Sequence, residues 1–395
     1  MRVLLIDVNC KHSSTGQIVY DLFRRLNENG HDAVVCYGRG ELIKETGIYK
    51  FGMDWETRIH AALARITGLN GYYSFFSTLR LIKFIDKYKP DVIHIHELHA
   101  YFVNIKMLVE YIKKKKIKIV WTFHCEYMYT GKCGHANDCL RFLEGCGKCP
   151  SVRDYPKSIF IDRTKTMFRD KKTLLQDMDF TIITPSQWLA DRVKMSFLKE
   201  KDIQVVYNGI DTENVFYPRT AGETNILKAT YGLEADKIVL SVAADIMTNG
   251  KSGPVVLEIC SLLPEVTFVL VGGDETKWVR KNVLLISRTN SQNELAAWYT
   301  LADMLLLCSK KETFAMPCAE SLACGTQVVG FKCGAPETVF SEPYAQFLDY
   351  VDYKSLIKLI RYKLKNPVDE DSCRTYGMEF STKKNYEKTL EIYSS

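Results

Sequence analysis

No uninterrupted apolar run in this sequence of 395 residues is long enough to cross a bilayer as a helix, so a membrane-spanning chain is not expected. Internal repeats and low-complexity stretches are missing too, which sets aside solenoids and disordered arms. The formal net charge of +6 is too mild to demand nucleic acid, and no nucleic-acid partner is expected. The opening Met1 to Val8 lacks a small-residue cleavage site and carries Asp7, so it reads as a first strand and not as a signal peptide. The spacing G-x-G-x-x-G is absent from the loop after that strand, so a dinucleotide site is not indicated. What is present is a globular composition, 46% apolar, with length for two domains. Thirteen cysteines are many for the cytoplasmic location expected here, and most are read as reduced thiols.

The most informative stretch runs from Ser309 to Gly325. Met304 to Cys308 before it has the length of a buried strand. Pro317 suits the start of a helix and Gly325 the residue past its end, so the order reads strand, loop, short helix, stop. Glu312 then lies in the loop and Glu320 in the first helical turn. Backbone N–H groups from Thr313 and Phe314 to Met316 would favour an anion at the helix start. Carboxylates repel phosphate, so Glu312 and Glu320 are expected to meet hydroxyl groups. A ligand with both phosphate and hydroxyls is a nucleotide sugar.

Elsewhere the pattern is that of alternating strands and helices. Residues 2–8 read as a buried strand, Gln17 to Asn29 as a helix stopped by Gly30, and Asp32 to Tyr37 as the next strand. Gly16 stands where the first loop meets the helix, either to let a diphosphate approach or merely to turn the chain. Residues 54–89 read as largely helical, with one apolar stripe of Trp55, Ile59, Ala62, Leu63 and Ile66. Tyr72, Tyr73, Phe75 and Phe76 form an aromatic cluster before a second helix, Thr78 to Tyr88; core packing and lipid contact both remain open. His94, His96 and His99 follow a strand beginning at Pro90. With no converging partner set they are expected to be ordinary loop histidines. Lys113 to Lys116 and Lys118 suit either a helix C-terminus or an anionic bilayer. His124 ends the strand Ile119 to Phe123, at the edge where parallel sheets hold ligands.

Five cysteines fall between residues 125 and 149. Cys133, Cys139, Cys146 and Cys149 could hold a structural zinc; reduced or redox-active thiols and disulfides are the alternatives left open. In the second half, Ile238 to Ala244 and Val266 to Gly272 read as strands. Lys251, between glycines at a helix start, is a phosphate partner. Arg288 follows another strand.

Glu312 and Glu320 with seven residues between, followed by Ser-Leu-Ala-Cys-Gly-Thr-Gln-Val-Val-Gly-Phe, resemble the retaining glycosyltransferases of family 4. Pro90-Asp-Val-Ile-His94 and Asn208-Gly-Ile-Asp211 add to the likeness. Thr130-Gly-Lys-Cys133 through Cys149-Pro150 resembles an insertion in the exopolysaccharide and colanic-acid-type subgroup. The resemblance implies an α/β GT-B fold, two Rossmann-like domains whose parallel sheets face across a cleft. It implies residues 1–210 as an acceptor-side domain with the insertion at about 125–150, 211–375 as the nucleotide-sugar domain, and 376–395 as a helix returning to the first. It further implies Gly16 at the donor phosphates, His124 at the donor sugar, Glu312 at sugar hydroxyls, Glu320 at ribose hydroxyls and Arg288 near the base. Lys251 would grip the phosphates, although Ser252 follows it and no arginine precedes it as the family pattern has.

The expected reaction is retaining transfer from a UDP- or GDP-sugar to a lipid-linked or oligosaccharide acceptor, without a catalytic metal, in cell-surface polysaccharide synthesis. Peripheral contact with an anionic membrane at the inner face of the cell is an open addition. A GT-B sugar-nucleotide epimerase and a silent scaffold of a polysaccharide assembly complex are the rivals, and a carboxylate nucleophile is the rival mechanism.

Overall fold

The computed structural model describes residues 1–248, 253–289 and 291–395. The chain divides into two units, Met1–Tyr207 with Asn385–Ser395, and Asn208–Lys384. Lys251 and Asn290 lie outside the described residues.

The first unit is built on seven strands: β1 (Arg2–Asp7), β2 (Asp32–Tyr37), β3 (Ile48–Lys50), β4 (Val92–Ile95), β5 (Lys118–Thr122), β6 (Thr181–Thr184) and β7 (Ile203–Val205). They lie in the order β3-β2-β1-β4-β5-β6-β7, every pairing parallel. Side chains alternate across a strand. Leu4, Ile6, Ile93, Ile95 and Trp121 therefore fill one core, and Val3, Leu5, Val35 and Val120 the other. Burial on both faces is why these strands are nearly all apolar. Tyr386 and Tyr393, from the last helix Thr382–Ser394, pack into the second of these cores.

One sequence expectation fails here, and the direction of the apolar stripe is decided. The first helix runs Ser13–Glu28, four residues ahead of the expected Gln17, because Ser13 Oγ accepts the Gly16 N–H at 3.3 Å and satisfies a group a helix start leaves open. Gly16 thus sits in the first turn instead of before it. The helix Asp54–Thr67 turns its apolar stripe outward: Trp55, Ile59 and Ile66 are 51%, 50% and 51% exposed. Its buried face is Glu56, Thr57, His60 and Ala64. Glu56 takes the N–H groups of Phe76 and Ser77 and the Ser77 hydroxyl, and His60 bonds Ser74 Oγ and the Gly71 N–H. A polar face is stable inside when its groups are paired. Phe75 and Phe76 open the next helix, Phe75–Tyr88, at 52% and 58% exposure, so that pair is not core.

The second unit carries β8 (Ile238–Val242), β9 (Thr267–Val271), β10 (Lys277–Arg280), β11 (Val283–Ile286), β12 (Met304–Leu307), β13 (Val328–Phe331) and β14 (Ala345–Leu348). Their order is β10-β11-β9-β8-β12-β13-β14, parallel except for β10 at the edge. Gly330 is required within β13, since a Cβ there would lie 2.2 Å from the Leu307 carbonyl oxygen.

Candidate functional site

In the second unit β12 ends at Leu307, and the chain turns through a loop into the helix Met316–Ala323, with Pro317 in its first turn. Ala315 takes a left-handed conformation, φ 73°, to make the corner, and Gly325 at φ 87° ends the element. Glu312 N–H donates to the Cys333 carbonyl at 2.9 Å, and Ala335 N–H donates to the Glu312 carbonyl at 3.1 Å. The loop is thereby strapped to the loop after β13. Phe314 is buried, with Phe340 and Phe380 rings 5.5 and 6.0 Å away, so its side chain is part of the core. Glu320 opens the second helical turn, not the first. Tyr299 OH donates to its carboxylate at 2.7 Å. Burial pushes the Glu320 carboxyl up to about 7, the Tyr299 hydrogen bond partly opposing. Glu312 and Thr313 are half-buried on the same loop. A helix start beside two carboxyls of unequal environment can receive an anion and hydroxyl groups together.

Arg288 is exposed past the carboxyl end of β11. Gly272, after β9, has φ 109°, and a Cβ there would lie 1.7 Å from the Ala243 carbonyl. That contact holds the β9 turn against the segment leading to Lys251, whose own place lies outside the described residues.

In the first unit the carboxyl ends of β1, β4 and β5 hold a cluster of Asp7, Glu97 and the histidines His94, His96 and His124. Asp7 Oδ1 accepts the Glu97 N–H at 3.0 Å and Asp7 Oδ2 the Asn9 N–H at 3.2 Å, joining the loop before Gly16 to the loop carrying the histidines. A carboxylate ending an otherwise apolar strand was the available signal. Burial pushes Asp7 up to about 7. His94 and His96 are buried rather than ordinary loop residues, and His124 is buried beside them: neighbouring parallel strands in register bring their ends together. His94 bonds Thr122 Oγ1 and Tyr393 OH, and His96 Nδ1 meets His124 Nε2 at 3.0 Å. Burial lowers His124 to about 4, so its imidazole is neutral at pH 7. Gly16 is buried in the first turn of its helix, its missing Cβ 3.3 Å from Asn9 atoms.

Glu97 Oε2 lies 2.9 Å from His99 Nε2 and accepts the Cys125 thiol at 3.4 Å. Among the described residues this is the one group of three or more His, Cys, Asp or Glu ligand atoms all within 4.8 Å of one another. The insertion cysteines Cys133, Cys139, Cys146 and Cys149 form no such group. Cys133 and Cys149 share a hydrogen bond, which lowers Cys149 to about 6. The Cys146 sulfur accepts the Gly131 N–H at 3.1 Å instead.

The lysine run follows the helix Ile105–Lys113 and is partly engaged locally. Lys115 pairs with Asp86 at 2.8 Å, and Lys113 donates to the Leu174 carbonyl. No helix among the described residues is long and apolar enough to cross a membrane.

Comparison with known proteins adds the following. Residues 15–214 match the profile of Glycosyltransferase Family 4, and residues 231–380 that of Glycosyl transferases group 1. A protein of Escherichia coli K12 named as a colanic acid biosynthesis glycosyl transferase, WcaC, is 23% identical, with 100% of this chain and 98% of that one covered. The structure of HepE from Anabaena, solved with UDP-glucose, superposes with a TM-score of 0.69 at 13% identity, covering 100% of this chain and 99% of that one. WaaG, a glycosyltransferase involved in lipopolysaccharide biosynthesis, superposes with a TM-score of 0.62 at 14% identity over the whole of both chains.

Proposed function

This chain belongs to Glycosyltransferase Family 4 and is a glycosyltransferase of GT-B fold, and from that premise we propose a retaining enzyme with a nucleotide-sugar donor. The donor is a UDP- or GDP-linked hexose. The acceptor is a hydroxyl of a lipid-linked or oligosaccharide chain in cell-surface polysaccharide synthesis. The observation that carries the reading is the β12–loop–helix unit, which sets Glu312 and Glu320 on either side of a helix start.

In this reading Glu320 receives the ribose hydroxyls, Glu312 the hydroxyls of the transferred sugar, and Arg288 lies toward the base. As the bond to the anomeric carbon breaks, negative charge grows on the diphosphate and positive charge on the sugar ring. Backbone N–H groups near Thr313 offset the first, together with Lys251, assigned from sequence alone. These fixed groups fill the role a divalent ion would otherwise have. His124, neutral at pH 7, contacts the sugar without adding positive charge beside the developing cation.

Thirteen free cysteines fit a reducing compartment, so a cytoplasmic site is part of the same proposal. The outward apolar face of the helices Asp54–Thr67 and Phe75–Tyr88 supports peripheral contact with the membrane that would carry a lipid-linked acceptor. The family match does not favour an epimerase or a silent scaffold.

The test is nucleotide release from a panel of UDP-, GDP- and ADP-sugars. Wild-type protein is expected to turn over one donor class, and Glu312→Gln to lose about 100-fold of that rate. Small external nucleophiles should not rescue it; azide rescue would instead support a carboxylate nucleophile. A panel in which no donor is bound or consumed overturns the reading.

A further inference from the structure

Three side chains of different chemistry meet past the ends of two adjacent parallel strands. Glu97 and His99 follow β4, and Cys125 follows β5. Strand register, His94 opposite Val120, brings the two loops level. Two further bonds hold the first loop: Asp7 accepts the Glu97 N–H, and Trp121 Nε1–H donates to the His96 carbonyl at 3.0 Å. On the other side, Glu126 N–H donates to the Gly134 carbonyl at 2.7 Å, fixing the residue next to Cys125.

The spacing is that of a ligand set. Zinc bonds of about 2.0–2.3 Å in a tetrahedron put ligand atoms roughly 3.2–3.7 Å apart. Here the carboxylate oxygen is 2.9 Å from the imidazole nitrogen and 3.4 Å from the thiol sulfur, and all three atoms fall within 4.8 Å. Little rearrangement would be needed. Thiolate, imidazole and carboxylate together select against magnesium and calcium, which take oxygen ligands, and suit zinc. The group is also sheltered, with side-chain exposures of 8% for Glu97 and 23% for His99. In the metal-free chain the same atoms satisfy one another, the imidazole nitrogen of His99 and the Cys125 thiol both meeting the Glu97 carboxylate. A metal would replace those contacts and release the Cys125 thiol proton and the proton on His99 Nε2.

We propose that Glu97, His99 and Cys125 form a three-ligand zinc site at the carboxyl ends of β4 and β5, with water in the fourth position. This site uses none of Cys133, Cys139, Cys146 and Cys149 and lies wholly within the first unit. It stands independently of the donor and acceptor assigned above.

The experiment uses the full chain, purified with zinc and desalted, with bound metal measured by elemental analysis and its ligand shell by X-ray absorption. About one zinc per chain is expected, with one sulfur near 2.3 Å and the remaining ligands nitrogen or oxygen near 2.0–2.1 Å. Replacing zinc with Co2+ should give a near-ultraviolet thiolate band. That band should be lost in Cys125→Ser and kept in Cys149→Ser, with each variant's melting temperature recorded. A shell with two or more sulfurs, a shell with none, or a folded chain that retains no metal overturns the proposal. The wild-type shell decides the matter even if a variant fails to fold.

Discussion

Asp7 is the residue whose chemistry is most exposed to a simple test. It is fully buried, and burial outweighs the N–H bonds from Glu97 and Asn9 to set its pKa at about 7. An unfolded aspartate titrates near pH 4. Between those values the folded chain keeps a proton the unfolded chain has lost, so this group's contribution falls as pH rises from about 4 to about 7 and is level above that. Asp7→Asn retains an acceptor oxygen but no longer titrates. Its stability relative to wild type should therefore improve by on the order of 2 kcal/mol between pH 5 and pH 8. Denaturant unfolding at the two pH values reads this directly, and parallel pH profiles would count against it. Glu320 titrates in the same window but is common to both proteins, so it cancels.

At the scale of elements, what could be read ahead of the structure followed from which rules are local. The strand–loop–helix around Glu312 was legible because proline, glycine and an apolar strand punctuate it within a short span. The histidine cluster was not legible, since it depends on β4 and β5 being neighbours in register, which no single segment states. The stripe Trp55, Ile59, Ile66 was visible, but its direction was not. Direction was decided by Glu56 and His60 finding buried partners on the next helix and loop.

Two measurements belong at this scale. Gly330→Ala would drive a methyl into the Leu307 carbonyl between paired strands, and should destabilise the chain by about 2 kcal/mol or more in denaturant unfolding. A loss under about 0.5 kcal/mol would show that the strands can part there. Trp55 and Phe76, with rings 6.1 Å apart, both belong to the outward apolar face. Replacing both by serine should weaken co-sedimentation with phosphatidylglycerol vesicles about tenfold or more, since half-burying each aromatic in the interface contributes about 1 kcal/mol. Unchanged partition would remove the membrane from the proposal and leave the face to another occupant.

For the whole molecule, the family and the fold follow from matches that run across both units, whereas the substrate does not. The proposed donor contacts are Glu312 and Glu320 of the second unit. The most direct measurement uses full-length protein, the labelled donor selected by the panel and an isolated glycolipid acceptor fraction. The anomeric configuration of the new linkage is then read by NMR. The account predicts label entering the acceptor with the donor's configuration kept, and almost none with Glu312→Gln. Label recovered only as free sugar, an inverted linkage, or equal transfer by Glu312→Gln would contradict it.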